Sequence, residues 1–202
     1  MGYLHGGRQR RRVQLRLASF EGDKIPLIPY MKRLTTIEFL IYLANGLFTP
    51  AWYILLYQRG GDISQFGLLI GLMAIGAAVA AYFSGTLSHG KPYRVLGVAV
   101  LTQALLMALY IPAFPLWSLY ALQISYGIIS AALLTVEQVC ISRLSGGNGK
   151  TIGSYGAIMH GSLAVAMIVS GFIASLIGAS ALIGFSALIL AGAGVLAFSS
   201  KL

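Results

Sequence analysis

The chain has 202 residues, 57% of them hydrophobic and only 9% charged, with a formal net charge of +9. A mean hydropathy of +0.82 excludes an ordinary soluble domain, and the single cysteine, Cys140, excludes a disulfide framework or a cysteine-based metal site. The charge excess is local, since eight of the 14 basic residues precede Leu34, which suits an anionic membrane surface and not a nucleic-acid face.

Residues 1–33 are polar and basic, carrying Arg8, Arg10, Arg11, Arg12, Arg16, Lys24, Lys32 and Arg33. Arg16 interrupts any apolar signal core and no small-residue cleavage site follows, so the segment does not read as a secretory leader. Pro26 and Pro29 favour an extended connection, and the whole reads as a cytoplasmic tail lying on lipid headgroups.

From Thr36 onward, apolar runs predict six transmembrane helices, at about 36–57, 65–87, 94–112, 116–139, 151–177 and 179–199. Residues 34–202 are thus expected to form one all-α membrane domain. The breaks are chemically legible: Arg59-Gly60-Gly61-Asp62, the basic loop 85–96 (GTLSHGKPYRVL), Pro112-Ala113-Phe114-Pro115, the stretch 143–150 (RLSGGNGK) and Gly178-Ala179-Ser180. The last break holds nothing strongly polar, but a fused segment of about 49 residues is far too long for one span. With the N-terminus inside, 13 of the 14 basic residues fall on inner segments and only Arg59 lies outside. That bias places both termini in the cytoplasm.

The loop 85–96 resembles the signature loop between helices 2 and 3 of the major facilitator superfamily, Gly-x-Leu-Ala-Asp-Arg-x-Gly-Arg-Lys-x-x-Leu. Gly85, Leu87 and Arg94 match and Ser88 takes the small-residue position, whereas His89 stands where the acid belongs and Pro92 where the second glycine belongs. Gln123 and Gly127 keep the Gln-x-x-x-Gly spacing of the family's fourth helix, and residues 149–174 open on Gly149-Lys150 with regularly placed glycines like its fifth. The resemblance covers about 36–199 and implies one half of such a transporter, two three-helix units in inverted topology. It also implies that an acid late in the fourth helix, here Glu137, pairs with the loop arginine, here Arg94, although Arg143 sits closer to the usual place. On this view residues 1–33 can alternatively be the remnant of a central loop that joined two halves.

Polar residues within spans mark candidate sites, because they are expensive there and usually face protein or a water-filled cavity. In the first span Asn45, Thr49, Trp52 and Tyr53 share one helical face beside Pro50, which cannot donate to the carbonyl of Gly46 and so predicts a kink. They can line a pocket, or Asn45 and Thr49 can serve only as interhelical glue. In the fourth span Gln123, Tyr126, Ser130 and Glu137 recur on one side. Glu137 is either a proton-coupling or substrate-cation site, or the partner of Arg94, Arg143 or Lys91 in a cytoplasmic gate that includes His89. His160, ~13 Å into the fifth span at the usual helical rise, can relay protons or simply hydrogen-bond a neighbour. Gln103 has the same two readings. The sixth span offers little polarity beyond Ser180 and Ser186, predicting a peripheral, lipid-facing helix, and glycines such as Gly67, Gly71, Gly76, Gly153, Gly161, Gly171, Gly184, Gly192 and Gly194 predict close helix approach.

No intramembrane aspartate pair, Gly-x-Ser-x-Gly elbow, phosphate loop or metal-ligand cluster is present in the sequence, and the glycine-rich run before Lys150 lacks a preceding strand. No enzyme, cofactor or metal is expected. Composition gives a membrane protein, and the resemblance implies a small-solute secondary transporter of the cell (plasma or inner) membrane, working by alternating access as a dimer of six-helix halves. Its expected partners are lipid, a small-molecule substrate, and a second copy or another six-helix chain. The alternative is a non-transporting half that scaffolds a partner.

Overall fold

A backbone surrounded by apolar side chains satisfies its N–H and C=O groups most simply by coiling into helices. The computed structural model describes residues 27–87, 92–112 and 115–199, and within them the chain is all-helical. The helices are α1 (Leu27–Gln58), α2 (Ile63–Leu87), α3 (Pro92–Leu109), α4 (Leu116–Ser145), α5 (Gly149–Ile177) and α6 (Ala179–Phe198). Five are long and apolar enough to cross a membrane, whereas the apolar part of α3, Tyr93–Leu109, is shorter.

The helix ends differ from the sequence expectation in instructive ways. α1 starts at Leu27, so Pro29 is helical and not extended; it falls in the first turn, where no intrahelical N–H bond is needed. α3 ends at Leu109 and not at 112, and Arg59 gathers the carbonyls that follow it. The Arg59 Nη2 group donates to Tyr110, Ile111 and Pro112 at 3.0, 3.2 and 2.9 Å, placing a cation on the negative end of the helix. At the start of α2, Asp62 accepts from the Ser64 hydroxyl and the Gln65 N–H at 2.6 and 2.8 Å. Those bonds hold its carboxyl below the usual carboxylate range.

The stretch 143–150 is a capped helix-to-helix turn. Gly146 adopts φ 59° after α4, and the Asn148 side chain accepts from the N–H groups of Lys150 and Thr151 at 3.0 and 3.4 Å. The break between α5 and α6 is Gly178 alone, at φ 86° and ψ 151°. That backbone region is essentially closed to residues with a Cβ, so a single glycine separates the helices without any polar loop.

α2 packs on α4, α4 on α3, α3 on α6, α6 on α1 and α1 on α5, leaving α2 and α5 as the ends of the succession. The closest approaches use glycine. A Cβ on Gly127 of α4 would run into the Met73 carbonyl of α2, and one on Gly76 of α2 into the Ile124 carbonyl of α4. Gly46 of α1 faces Ala166 and the Leu163 carbonyl of α5, where a Cβ would lie at 2.6 and 2.7 Å. Of the nine glycines expected to allow close approach, Gly76 and Gly194 are tight and Gly184 is in ordinary contact. Gly67, Gly71, Gly153, Gly161, Gly171 and Gly192 have open space before them among the described residues.

The sixth span is not peripheral. Leu182, Ile183, Ser186, Leu190 and Ala193 of α6 are buried against α1 and α3. The expectation rested on the lack of polar glue, but α6 is held by apolar and small side chains: a Cβ on Gly194 would meet Leu101 at 2.7 Å, and Ser186 returns its hydroxyl to the Leu182 carbonyl at 2.9 Å. Arg33 adds a tie across the ends, donating to Ser199 Oγ at 2.6 Å and the Leu196 carbonyl at 3.2 Å.

Gly127→Ala should therefore destabilise the fold by about 1–3 kcal/mol, because two backbones must separate to admit the methyl group. Gly67→Ala, on an open face, should be neutral or slightly stabilising. Thermal unfolding of the two variants side by side in the same detergent checks this, and equal melting temperatures would contradict the tight α2–α4 contact.

Candidate functional site

Three polar side chains from three helices meet in the interior. Asn45 of α1, Gln103 of α3 and Tyr126 of α4 form one network, in which the Asn45 Oδ1 atom accepts from Tyr126 Oη at 2.6 Å and from Gln103 Nε2 at 3.0 Å. Gln103 Nε2 also lies 3.0 Å from Tyr126 Oη and 3.5 Å from Ser130 Oγ. Asn45 spends its own amide on the Ile41 carbonyl at 2.9 Å. Gln103 is 1% exposed, and its Oε1 atom has no hydrogen-bond partner. A buried acceptor left in this state is costly and rare.

This network borders a cavity of about 290 Å³, near the lower end of ordinary small-molecule sites. Asn45, Gln103, Tyr126, Ser130 and Glu137 supply its polar groups together with Tyr42, and Ile41, Met73, Leu133, Leu134 and Leu163 supply apolar wall. It draws on α1, α2, α3, α4 and α5 but not α6.

Glu137 sits at the edge of the cavity as an acceptor. The Tyr42 hydroxyl lies 3.2 and 3.4 Å from its two carboxyl oxygens, and the Tyr155 hydroxyl of α5 lies 3.4 Å from Oε1. Among the described residues it forms no ion pair with Arg94 or Arg143, both of which are exposed. Among the described residues Glu137 is bonded by phenol donors and not by Arg94 or Arg143, which face outward while Glu137 meets side chains of α1 and α5. His89 and Lys91 lie outside the described residues. His160 is exposed and packs edge-on against Tyr42, with ring centroids 5.7 Å apart.

The other residues of the two expected stripes lie elsewhere. Thr49 is exposed and returns its hydroxyl to the Asn45 carbonyl at 2.9 Å. Trp52 is buried between Phe66 and Tyr110, and Tyr53 rests edge-on against Phe66. Gln123 is buried and accepts from the Tyr110 hydroxyl at 2.9 Å. α1 continues as helix through Pro50, and Ser170 of α5 donates to the Leu47 carbonyl at 2.7 Å, beside the Gly46 carbonyl that Pro50 leaves without its intrahelical donor. The stripes were drawn on ideal helical faces, but partner helices divide each face between core and cavity.

Four further polar groups take their place only in three dimensions. Tyr42 lies three residues before Asn45, a spacing that would have placed it on the same face; Tyr155 carries no such signal. Glu38 is fully buried and neither carboxyl oxygen has a hydrogen-bond partner, and the Tyr93 hydroxyl is likewise unpartnered. A carboxyl group in such a place needs a proton, a cation or a donor to be tolerated.

A double-mutant cycle on Asn45→Ala and Tyr126→Phe should give a coupling energy of about 1 kcal/mol in unfolding measurements. Simple additivity would show that the 2.6 Å bond is energetically idle.

Five apolar helices long enough to cross a bilayer describe a multi-pass membrane protein. Searches of curated proteins and of solved structures find no match to it. The family model of the Major Facilitator Superfamily, a family of transporters, matches residues 34–201, nearly the whole chain and all six helices beyond the first turns of α1. The chain belongs to the Major Facilitator Superfamily.

Proposed function

We propose that this chain is a six-helix half of a secondary transporter of small solutes, resident in the cell membrane with both ends cytoplasmic. The observation that carries the reading is the cavity: a pocket of about 290 Å³ lined by Asn45, Gln103, Tyr126, Ser130 and Glu137, set among helices that are otherwise apolar. Polar side chains from three helices converging beside such a space are expensive in a purely structural bundle.

The packing supports the inverted-repeat reading. Exchanging α1 with α4, α2 with α5 and α3 with α6 maps the main neighbour pairs onto themselves: α2–α4 becomes α5–α1, α3–α4 becomes α6–α1, and α3–α6 is unchanged. Glycine carries the close contact in both α2–α4 and α1–α5. Two three-helix units related in this way are the building block of such transporters.

Pairing with a second six-helix unit, a further copy or another chain, completes the cavity. α2 and α5 are the least enclosed of the membrane-spanning helices, with 17% and 22% of their apolar windows buried against 50% for α1, and they flank the cavity through Met73, Ala77 and Leu163. The polar groups of α1 and α4 do not themselves demand the partner, since Asn45, Gln123 and Tyr126 are satisfied within the chain. The unfinished wall does. Glu137 and His160 are the candidates for proton handling, with Arg94, Arg143 and His89 at the inner end. A non-transporting scaffold is the second reading, favoured by His89 in the acid position of the signature loop and by a Glu137 that is not paired with Arg94.

Two measurements separate these readings. Cys140 is buried, so single-molecule photobleaching uses a terminal fluorescent tag: two bleaching steps are expected for a homodimer, and single steps with no recovered partner chain would remove the pairing. In a Cys140→Ser background, Ser130→Cys should react with a membrane-impermeant maleimide applied to either face of proteoliposomes, as alternating access requires. Reaction from one face only, or from neither, would leave the scaffold reading in place.

A further inference from the structure

Glu38 of α1 is fully buried, and neither of its carboxyl oxygens has a hydrogen-bond partner. An ionised carboxylate in that state is among the costliest arrangements a protein interior can hold. A basic neighbour, a bound cation or a proton relieves it. The first is missing among the described residues. The ionisable side chains near enough to act on Glu38 are Tyr42 of its own helix, Tyr93 of α3, Glu137 and Cys140 of α4, and Tyr155 of α5; α6 brings none. Lys32, Arg94, Arg143, Lys150 and His160 are exposed, and Arg33 is engaged by Ser199 and the Leu196 carbonyl. The second has no room: both oxygens are sealed by protein atoms, Glu38 does not border the cavity, and no group of three metal-ligating side chains occurs among the described residues. A proton needs no room.

Building on the transporter reading, we propose that Glu38 is the proton carrier of this chain: it holds a proton while the helices are packed as described and releases it to water when α1 parts from α4 at the cytoplasmic end. Glu137 supplies the contrast. It borders the cavity and accepts from the hydroxyls of Tyr42 and Tyr155, whereas Glu38 has no donor at all. Two carboxylates enclosed together oppose each other, so the proton stays on the member without donors. The buried Tyr93 hydroxyl, also unpartnered, brings no charge to the same region. Opening here costs little packing. α1 packs mainly on α5 and α6, and α4 mainly on α2 and α3, while α1 and α4 touch each other only lightly. Once they part, the Glu38 O–H bond breaks, the proton passes to water and the carboxylate is hydrated. Acid therefore favours the closed form and rising pH the open one.

Infrared difference spectroscopy of the purified full chain reads the proton directly. At neutral pH, where exposed carboxyl groups are ionised, the wild type should show the carbonyl stretch of a protonated carboxylic acid, fading as the pH rises. Glu38→Gln should remove that band and Glu137→Gln should leave it; Glu38→Met takes the place of Glu38→Gln if the latter does not fold. Release is read in proteoliposomes of the Cys140→Ser, Ser130→Cys protein. Labelling by the impermeant maleimide from the cytoplasmic face should rise about tenfold per pH unit across the titration. Adding Glu38→Gln should flatten that rise, the comparison at each pH cancelling the thiol's own ionisation. No protonated band in the wild type, a band that survives in folded Glu38→Gln, or cytoplasmic-face labelling that is absent or indifferent to Glu38 would overturn the assignment, and the first of these needs no variant. Failure of the underlying reading looks different: band and cytoplasmic-face labelling both follow Glu38, yet maleimide on the outer face never reaches the thiol. Conversely, labelling from both faces with no dependence on Glu38 leaves transport intact and removes the proton carrier.

Discussion

The structure depends on one constraint of the low-dielectric interior: a polar group that leaves water must find a partner inside the bundle. Asn45, Gln103 and Tyr126 meet that constraint together, with bonds of 2.6–3.0 Å that join α1, α3 and α4. Because the network sits where three helices converge, it fixes their rotation about their own axes more firmly than apolar contact, which tolerates sliding. The same arithmetic leaves exceptions, among them the Gln103 oxygen, the Tyr93 hydroxyl and the Glu38 carboxyl group.

Glycine sets the second condition. The polar network forms only if backbones approach closely, and Gly127, Gly76 and Gly46 provide that approach at the α2–α4 and α1–α5 contacts. Closeness on that side has a consequence on the other. With α2 packed mainly on α4 and α5 mainly on α1, their remaining faces stay open, carrying Ile75, Val79, Val165 and Phe172 outward. Such faces are apolar enough to lie against lipid.

Glu137 shows how a family expectation and a local environment can diverge. Resemblance placed it beside the signature-loop arginine as part of a gate. In the fold it accepts from two tyrosine hydroxyls and borders the cavity, while Arg94 and Arg143 are exposed. A carboxyl group bonded by phenols is still open to a cation, whereas one locked to arginine is not.

The number of helices, their breaks and the membrane setting were legible in the sequence, because hydropathy and turn chemistry are local: apolar runs, Pro112, Asp62 and the glycines at 146 and 178 act on their own segment of backbone. Asn45, Tyr126, Ser130 and Glu137 were legible as site candidates for the same reason, each being polar in an apolar run. The rest was decided by tertiary structure. Which face of a helix becomes core or cavity depends on its neighbours, so Trp52 and Gln123 went to the core, Thr49 and Tyr53 to the outside, Gln103 and Tyr42 came to the cavity, and Tyr155 came to Glu137. The burial of α6 likewise depends on small residues of α3 and α6 meeting across about 100 positions of chain. Sequence periodicity records what a residue is and where it points on its own helix; only packing determines what stands opposite.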